Sequence, residues 1–219
     1  MKINIAIDGP SGAGKSTIAR AIAKTLNYVH LDTGSMYRTV AYLGLNNGIS
    51  LEDEDGLVDL INNVELKMFP NGEISVDGKF IHDEIRTNEM SMAASKVSKL
   101  EKVRAALVTM QRKIAANKGY ILDGRDIGTV VLRDAEVKIY LTASVENRAQ
   151  RRLLQNLEKN IPSNYEDILA DIKRRDYQDT HREHSPLKKA EDAIEVDTSN
   201  MTLQESVDYI LNIIKEKIN

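Results

Sequence analysis

The chain has 219 residues, of which 42% are hydrophobic and 29% charged, with a formal net charge of −3 and no cysteine. That length suits one domain with an insertion or two small ones, and the missing cysteine excludes disulfides, thiolate metal sites and a cysteine nucleophile. With no basic excess a nucleic acid polymer is not an expected partner, and with no apolar run near membrane-spanning length neither is a membrane; the expected location is the cytoplasm.

Ile3, Ile5, Ala6 and Ile7 predict a short buried strand ending at Asp8, too short for a signal peptide. Gly9-Pro10-Ser11-Gly12-Ala13-Gly14-Lys15-Ser16 follows and fits G-x-x-x-x-G-K-[ST] without mismatch, the pattern of a P-loop. Ile18, Ala19, Ile22, Ala23 and Leu26 then recur at helical spacing. Strand, glycine turn and helix make a phosphate cradle. The glycines let backbone N–H groups converge on oxygens, and the helix start adds unpaired N–H groups and partial positive charge. Here Lys15 would reach the terminal phosphates and the Ser16 hydroxyl would join a Mg2+ shell.

Residues 28–31 predict a second strand. Asp32-Thr33-Gly34-Ser35-Met36-Tyr37-Arg38 lies at its end, with Thr33 or Ser35 expected to cap a helix running through Tyr37, Val40, Ala41 and Leu45. Arg38 thus falls near the carboxyl end of a strand, where open α/β sheets bind ligands. Asn47-Gly48 ends that helix, and Leu57, Val58, Leu60 and Ile61 predict a short further one. The period then changes. Residues 64–68, 73–77 and 79–82 form an antiparallel meander, with turns at Pro70-Asn71-Gly72 and Asp77-Gly78. From 89 to about 118 the helical period returns, with Leu100, Val103, Leu107, Met110 and Ile114 in one stripe and a break near Ser98.

Residues 119–123 predict a strand ending in Asp123 that resembles a Walker B element. Gly124-Arg125-Asp126-Ile127-Gly128-Thr129 then packs an arginine and a second acid between glycines. After a strand at 137–141, Ser144 can cap a helix carrying Arg148, Arg151 and Arg152, with Arg148 and Arg152 on one face. Asn160-Ile161-Pro162-Ser163 breaks the chain, and residues 165–179 read as a charged helix with Lys173, Arg174 and Arg175, followed by Arg182. A last strand at 193–197 precedes an amphipathic terminal helix, whose apolar stripe reads as core packing. Apolar strands alternating with helices predict an α/β fold, a five-stranded parallel sheet with helices on both faces. A small antiparallel insertion lobe and a charged helical lid complete it.

A P-loop binds nucleotide without naming the reaction. The guanine reader Asn-Lys-x-Asp is missing, because Asn117-Lys118-Gly119-Tyr120 ends in tyrosine. Asp53-Glu54-Asp55-Gly56 matches D-x-x-G, but no strand precedes it. Gly12-Ala13-Gly14-Lys15-Ser16-Thr17 lacks the third glycine of a dinucleotide fingerprint. The arginines point instead to phosphoryl transfer between two phosphate-bearing substrates, which must hold two polyanions in line and neutralise charge on the moving group. Arg38, Arg125, Arg148, Arg151, Arg152, Arg175 and Arg182 supply that charge if the charged hairpin folds over as a lid, and the guanidinium fork suits phosphate. An acceptor that is already an ionised phosphate oxygen needs no strong base. Asp123 is therefore expected to support Mg2+ or orient Arg125. The histidines at 30, 82, 181 and 184 make no catalytic set.

Asp8-Gly9-Pro10-Ser11-Gly12-Ala13-Gly14-Lys15-Ser16-Thr17, Leu31-Asp32-Thr33-Gly34-Ser35-Met36-Tyr37-Arg38, Asp123-Gly124-Arg125-Asp126-Ile127-Gly128-Thr129 and Arg174-Arg175-Asp176 together resemble the bacterial cytidylate kinase family, within the nucleoside monophosphate kinases. The match in order and spacing covers essentially the whole chain. The resemblance implies transfer of the γ-phosphoryl of ATP to CMP or dCMP with Mg2+, in pyrimidine nucleotide metabolism. It implies a single P-loop kinase domain over 1–219, with a monophosphate-binding lobe at 33–118 (meander about 63–83) and a lid at 148–185; a monomer is the expectation, because the terminal helix stripe reads as core packing and not as an interface. Gly9 through Thr17 would wrap the ATP phosphates, and Arg148 and Arg152 would lie in the lid near the adenine and triphosphate. Lys15, Arg125, Arg152 and Arg175 would carry the catalytic charge. Thr33, Arg38, Arg125, Arg175 and Arg182 would hold the monophosphate; some members have serine in place of Thr33, which keeps the hydroxyl. Ser95, Arg104 and Asp126 would read cytosine, and Asp179 would meet sugar hydroxyls. Ser95 and Arg104 rest on the resemblance, since their own pattern reads as a surface helix residue and a solvated arginine. A kinase for UMP, AMP or shikimate would share the P-loop and lid but lack this reader. A nucleotide-dependent switch would bind nucleotide without a saturable acceptor.

Overall fold

The computed structural model describes residues 2–69 and 72–218. In chain order the elements are β1 (Ile5–Asp8), α1 (Lys15–Leu26), β2 (Val29–Asp32), α2 (Thr33–Asn46), α3 (Glu54–Asn63), β3 (Leu66–Met68), β4 (Ile74–Val76), β5 (Lys79–Ile81), α4 (Asn88–Val97), α5 (Glu101–Ala115), β6 (Tyr120–Gly124), β7 (Val137–Thr142), α6 (Val145–Glu158), α7 (Tyr165–His181), β8 (Ile194–Asp197) and α8 (Leu203–Ile218). A 3-10 turn spans Asp83–Ile85 and a π-helical turn spans Ile127–Val131.

The main sheet has five strands in the order β2-β6-β1-β7-β8, all parallel. Its strands are apolar on both faces because helices cover both faces. Ile5 and Ile7 pack with Ile121 and Ile139 against α1 and α8, whereas Ala6 lies with Leu31 and Leu122 beneath α2 and α5. Ile7 is fully buried, so truncating it to alanine costs about 2–5 kcal/mol. The register matters for the site. Ile7 pairs with Asp123, Asp8 with Gly124, and Asp32 with Asp123, so the carboxyl ends of β1, β2 and β6 emerge side by side.

The meander is a three-stranded antiparallel sheet, β3-β4-β5, with its own core of Ile74, Val76, Ile81 and Ile85, packed on Tyr42 and Leu43 of α2. Of the expected turn at Pro70-Asn71-Gly72, Pro70 and Asn71 lie outside the described residues. The helical stretch after the meander breaks at residues 98–100, as its pattern predicts.

Two helix starts explain local sequence. The cap of α2 is Asp32, not Thr33 or Ser35: its carboxylate accepts the Ser35 N–H at 3.0 Å, and a carboxylate at a helix start also meets the dipole favourably. Asp53 caps α3 by accepting the Gly56 N–H at 3.0 Å, so the D-x-x-G match is a capping sequence. Ser144 caps α6 through the Asn147 N–H at 3.2 Å, as expected.

Candidate active site

β1 runs straight into the glycine turn. At Gly9, with φ 154, an added Cβ would lie 2.0 Å from the Leu141 carbonyl oxygen on β7, so only glycine lets the chain pass. Gly14, with φ 89, opens α1, and no side chain caps that helix. Its first N–H groups therefore face the cleft as an anion site. Lys15 is buried with Nζ 2.7 Å from the Pro10 carbonyl oxygen. Burial, and then the nearby charge of Arg125, push its pKa down to about 7.

Ser16 sits one residue further along α1. Its hydroxyl donates to Asp123 Oδ2 at 2.8 Å, and the other oxygen of that carboxylate lies 2.6 Å from His30 Nε2. Thr33 donates its hydroxyl to the Asp123 carbonyl at 2.8 Å. One hydroxyl with one carboxylate behind it is an all-oxygen donor set. It fits Mg2+, which takes one or two protein groups and completes its shell with substrate phosphates and water. Among the described residues no group of three or more His, Asp or Glu side chains could hold a metal unaided.

The arginines converge next to this cradle. Arg38 donates to Asp32 Oδ2 at 2.8 Å. Burial opposes the charge on Asp32, yet Arg38 and then Ser35 hold its carboxyl well below the usual range. Arg125 donates from Nε to Asp179 Oδ2 at 2.6 Å, and that carboxylate outweighs burial and raises the arginine's pKa. Arg182 donates to the Ser185 carbonyl at 2.7 Å, while its buried Nη2 has no hydrogen-bond partner among the described residues and lies 3.5 Å from Asp126 Oδ1. Arg152, on α6, reaches Asn88 Oδ1 at 3.1 Å. The Arg175 guanidinium makes no hydrogen bond among the described residues. Burial, and then Arg125, push its pKa down to about 10. These arginines and Lys15 line one open cleft of about 540 Å³, within the ~300–1,000 Å³ of small-molecule sites. An unpartnered guanidinium among like charges is a site built for an anion.

The same cleft also carries Ser95, Arg104 and Asp126. Arg104 is not solvated: it is 4% exposed. Its guanidinium grips the Asp126 carboxylate, donates to the Ser98 carbonyl at 3.1 Å, and lies 5.7 Å from the centroid of the Tyr37 ring. Burial pushes the Tyr37 phenol up to about 12, so that ring stays neutral beneath the arginine. Ser95, half-buried, donates to Gln178 Oε1 at 3.1 Å, which bridges α4 to α7.

Two arginines are placed differently from the rest. Arg148 sits at the root of α6, buried, donating to the Ala143 and Ser11 carbonyls at 2.9 Å each and to Asp176 Oδ2 at 2.6 Å. Asp176 also accepts the Ser11 N–H at 3.2 Å, so this pair braces the glycine turn from behind. Arg151 turns to Thr198, reaching its hydroxyl at 3.1 Å and its carbonyl at 2.5 Å. Sequence reasoning gave no role to Asp8, His30 or Asp176. The only signal available for them was a polar residue inside or beside an apolar strand, or an acid next to an arginine pair.

The cytidylate kinase family model matches residues 5–216. A cytidylate kinase of Geobacillus sp. (strain WCH70) is 48% identical over 99% of this chain and 98% of its own length. One from Enterococcus faecalis (strain ATCC 700802 / V583) is 49% identical over 99% of this chain and 97% of its own length. Among solved structures, an uncharacterized protein from Eubacterium ventriosum ATCC 27560 superposes with a TM-score of 0.55 at 13% identity, covering 98% of this chain and 99% of that one. TT1252 from Thermus thermophilus gives 0.52 at 16% identity, covering 100% and 98%. At such identities the structures show a shared fold alone.

Proposed function

The chain belongs to the cytidylate kinase family, and we infer that the cleft described above is where it transfers the γ-phosphoryl group of ATP to CMP, giving CDP and ADP. The observation that carries this reading is the buried Arg104–Asp126 pair, held ready in the same cleft as the P-loop lysine. Cytosine offers an amino donor beside a ring acceptor, and a carboxylate beside a guanidinium matches that edge. Uracil presents a carbonyl where the amine would be.

The roles divide by position. Gly9 to Thr17 cradle the ATP phosphates, with Lys15 on the terminal ones. Ser16, backed by Asp123, would hold Mg2+, which would supply neutralising charge to the ATP phosphates. Thr33, Arg38, Arg125, Arg175 and Arg182 hold the monophosphate of CMP or dCMP. Asp179 keeps Oδ1 for a sugar hydroxyl while Oδ2 steadies Arg125. Arg152 approaches from α6, and Arg148 serves the ATP side by bracing the turn that wraps its phosphates. No base is assigned, because positioning and charge carry the rate.

The proposal extends to organisation. One kinase domain spans 1–219, the monophosphate lobe spans 33–118, and residues 148–185 form the lid. The enzyme works as a monomer in the cytoplasm, in pyrimidine nucleotide metabolism. No helix among the described residues is long and apolar enough to cross a membrane. The test is CMP-dependent ADP formation from Mg-ATP, with Lys15→Ala as the control. The variant is expected to lose ~10²–10³-fold or more in kcat. Turnover retained in Lys15→Ala would remove the P-loop from the mechanism.

A further inference from the structure

We propose that His30 is a positioning residue for the metal-nucleotide half of the site: it holds one oxygen of Asp123 and so aims the other at Ser16. This rests on the kinase reading above. His30 lies on β2, an edge strand of the main sheet, opposite Ile121 of β6. It lies beside the buried Leu31 and is itself 2% exposed. A buried polar ring is costly unless it is hydrogen-bonded. Among the described residues Nδ1 has no hydrogen-bond partner, so Asp123 Oδ1, 2.6 Å from Nε2, is the ring's one hydrogen-bond partner there. A carboxylate oxygen has no hydrogen to give, so Nε2 carries the proton and donates it.

The consequence follows from the shape of a carboxyl group. Its terminal torsion is soft and roughly two-fold. Fixing Oδ1 fixes that torsion and therefore the place of Oδ2, which accepts the Ser16 hydroxyl at 2.8 Å. A serine hydroxyl rotates to suit its partners. With its hydrogen drawn towards Asp123, it turns lone pairs to the cation; with Asp123 free to rotate, the hydrogen can swing into the cation's place. His30 thus acts two bonds back from the metal, as outer residues commonly do to fix a ligand's orientation. Among the described residues, the side-chain hydrogen bonds of Ser95, Arg104 and Asp126 involve neither His30 nor Asp123.

The experiment is calorimetric titration of ATP into wild type, His30→Phe and His30→Gln across a series of free Mg2+ concentrations, with CMP titrated in parallel. His30→Phe keeps a ring of similar size without the donor, and His30→Gln restores an N–H. In His30→Phe the Mg2+ needed to tighten ATP binding should rise ~10-fold, with Mg2+-free ATP binding and CMP binding unchanged and most of the effect reversed in His30→Gln. An unchanged Mg2+ requirement, or an equal loss of CMP binding, would overturn the proposal. If His30→Phe does not fold, His30→Leu carries the same test. Absence of CMP-dependent ADP formation in the wild type is the separate result that overturns the kinase reading.

Discussion

The Asp8 carboxylate accepts the backbone N–H of Gly128 at 2.7 Å, across 120 residues of chain, and that of Ile127 at 2.8 Å. One buried side chain therefore joins the strand that feeds the P-loop to the turn that follows Arg125 and Asp126. Asp8→Asn places an amide donor against one of those N–H groups. It should cost about 1–3 kcal/mol by chemical denaturation and raise the KM for CMP more than that for ATP. Unchanged stability would show that the two bonds do not hold the turn.

Asp8 also gives the fold a pH slope of defined sign. Burial pushes its pKa up from 3.8 to about 6, against the two N–H bonds. Between those values the native state binds more protons than the unfolded chain. Its contribution to stability is therefore greatest at the acid end and is lost as pH rises through about 6. Denaturation at a series of pH values should show this slope in the wild type and not in Asp8→Asn. An identical pH profile in both would contradict it.

Lys15 works in the opposite direction. Its pKa is lowered from 10.5 to about 7, so between those values the native protein binds fewer protons and gains stability as pH rises. ATP phosphates set against the ammonium restore its charge. Nucleotide binding near pH 8 should then take up close to one proton, read as a dependence of the binding enthalpy on buffer ionisation. No net proton uptake would mean that Lys15 is already charged before ATP arrives.

Arg148 and Arg152 share one face of α6 in the sequence, yet the fold gives them different work. Arg148→Met leaves Asp176 Oδ2 and the Ser11 carbonyl without their arginine donor and should cost about 3 kcal/mol of stability. Arg152→Met removes a half-buried arginine from the cleft and should change stability by less than about 0.5 kcal/mol while lowering kcat ~10²-fold. Equal stability losses in the two variants would contradict this division.

What the sequence made legible was local. The P-loop is a contiguous pattern with matching flanks, Ser144 stands directly before its helix, and the meander declares itself by a change of period. What it hid was non-local. Arg104 meets Asp126, Arg148 meets Asp176, and His30 meets Asp123, and each pair is assembled by tertiary packing rather than by spacing. Helical position alone therefore reads Arg104 as solvated. The π-helical turn at Ile127–Val131 was equally hidden, because the N–H groups at its start are satisfied by Asp8 from another strand. Asp32 is both the last residue of β2 and the cap of α2, a double role that its local sequence does not reveal.

Selectivity for the base isolates the reader from the rest of the site. Asp126→Ala should reduce the preference for CMP over UMP by ~10-fold or more, as expected for the loss of one buried charged hydrogen bond, and leave ATP binding little changed. Equal losses with both acceptors would remove Asp126 from base recognition.

The most direct measurement is ADP production from Mg-ATP by the wild-type protein with CMP, dCMP, UMP, AMP, GMP and shikimate in parallel, beside a blank without acceptor. Rapid turnover with CMP and dCMP and little with the others is the predicted result. Preferential turnover with another acceptor would contradict cytosine reading by Arg104 and Asp126. Slow ADP release indifferent to every acceptor would contradict phosphoryl transfer itself.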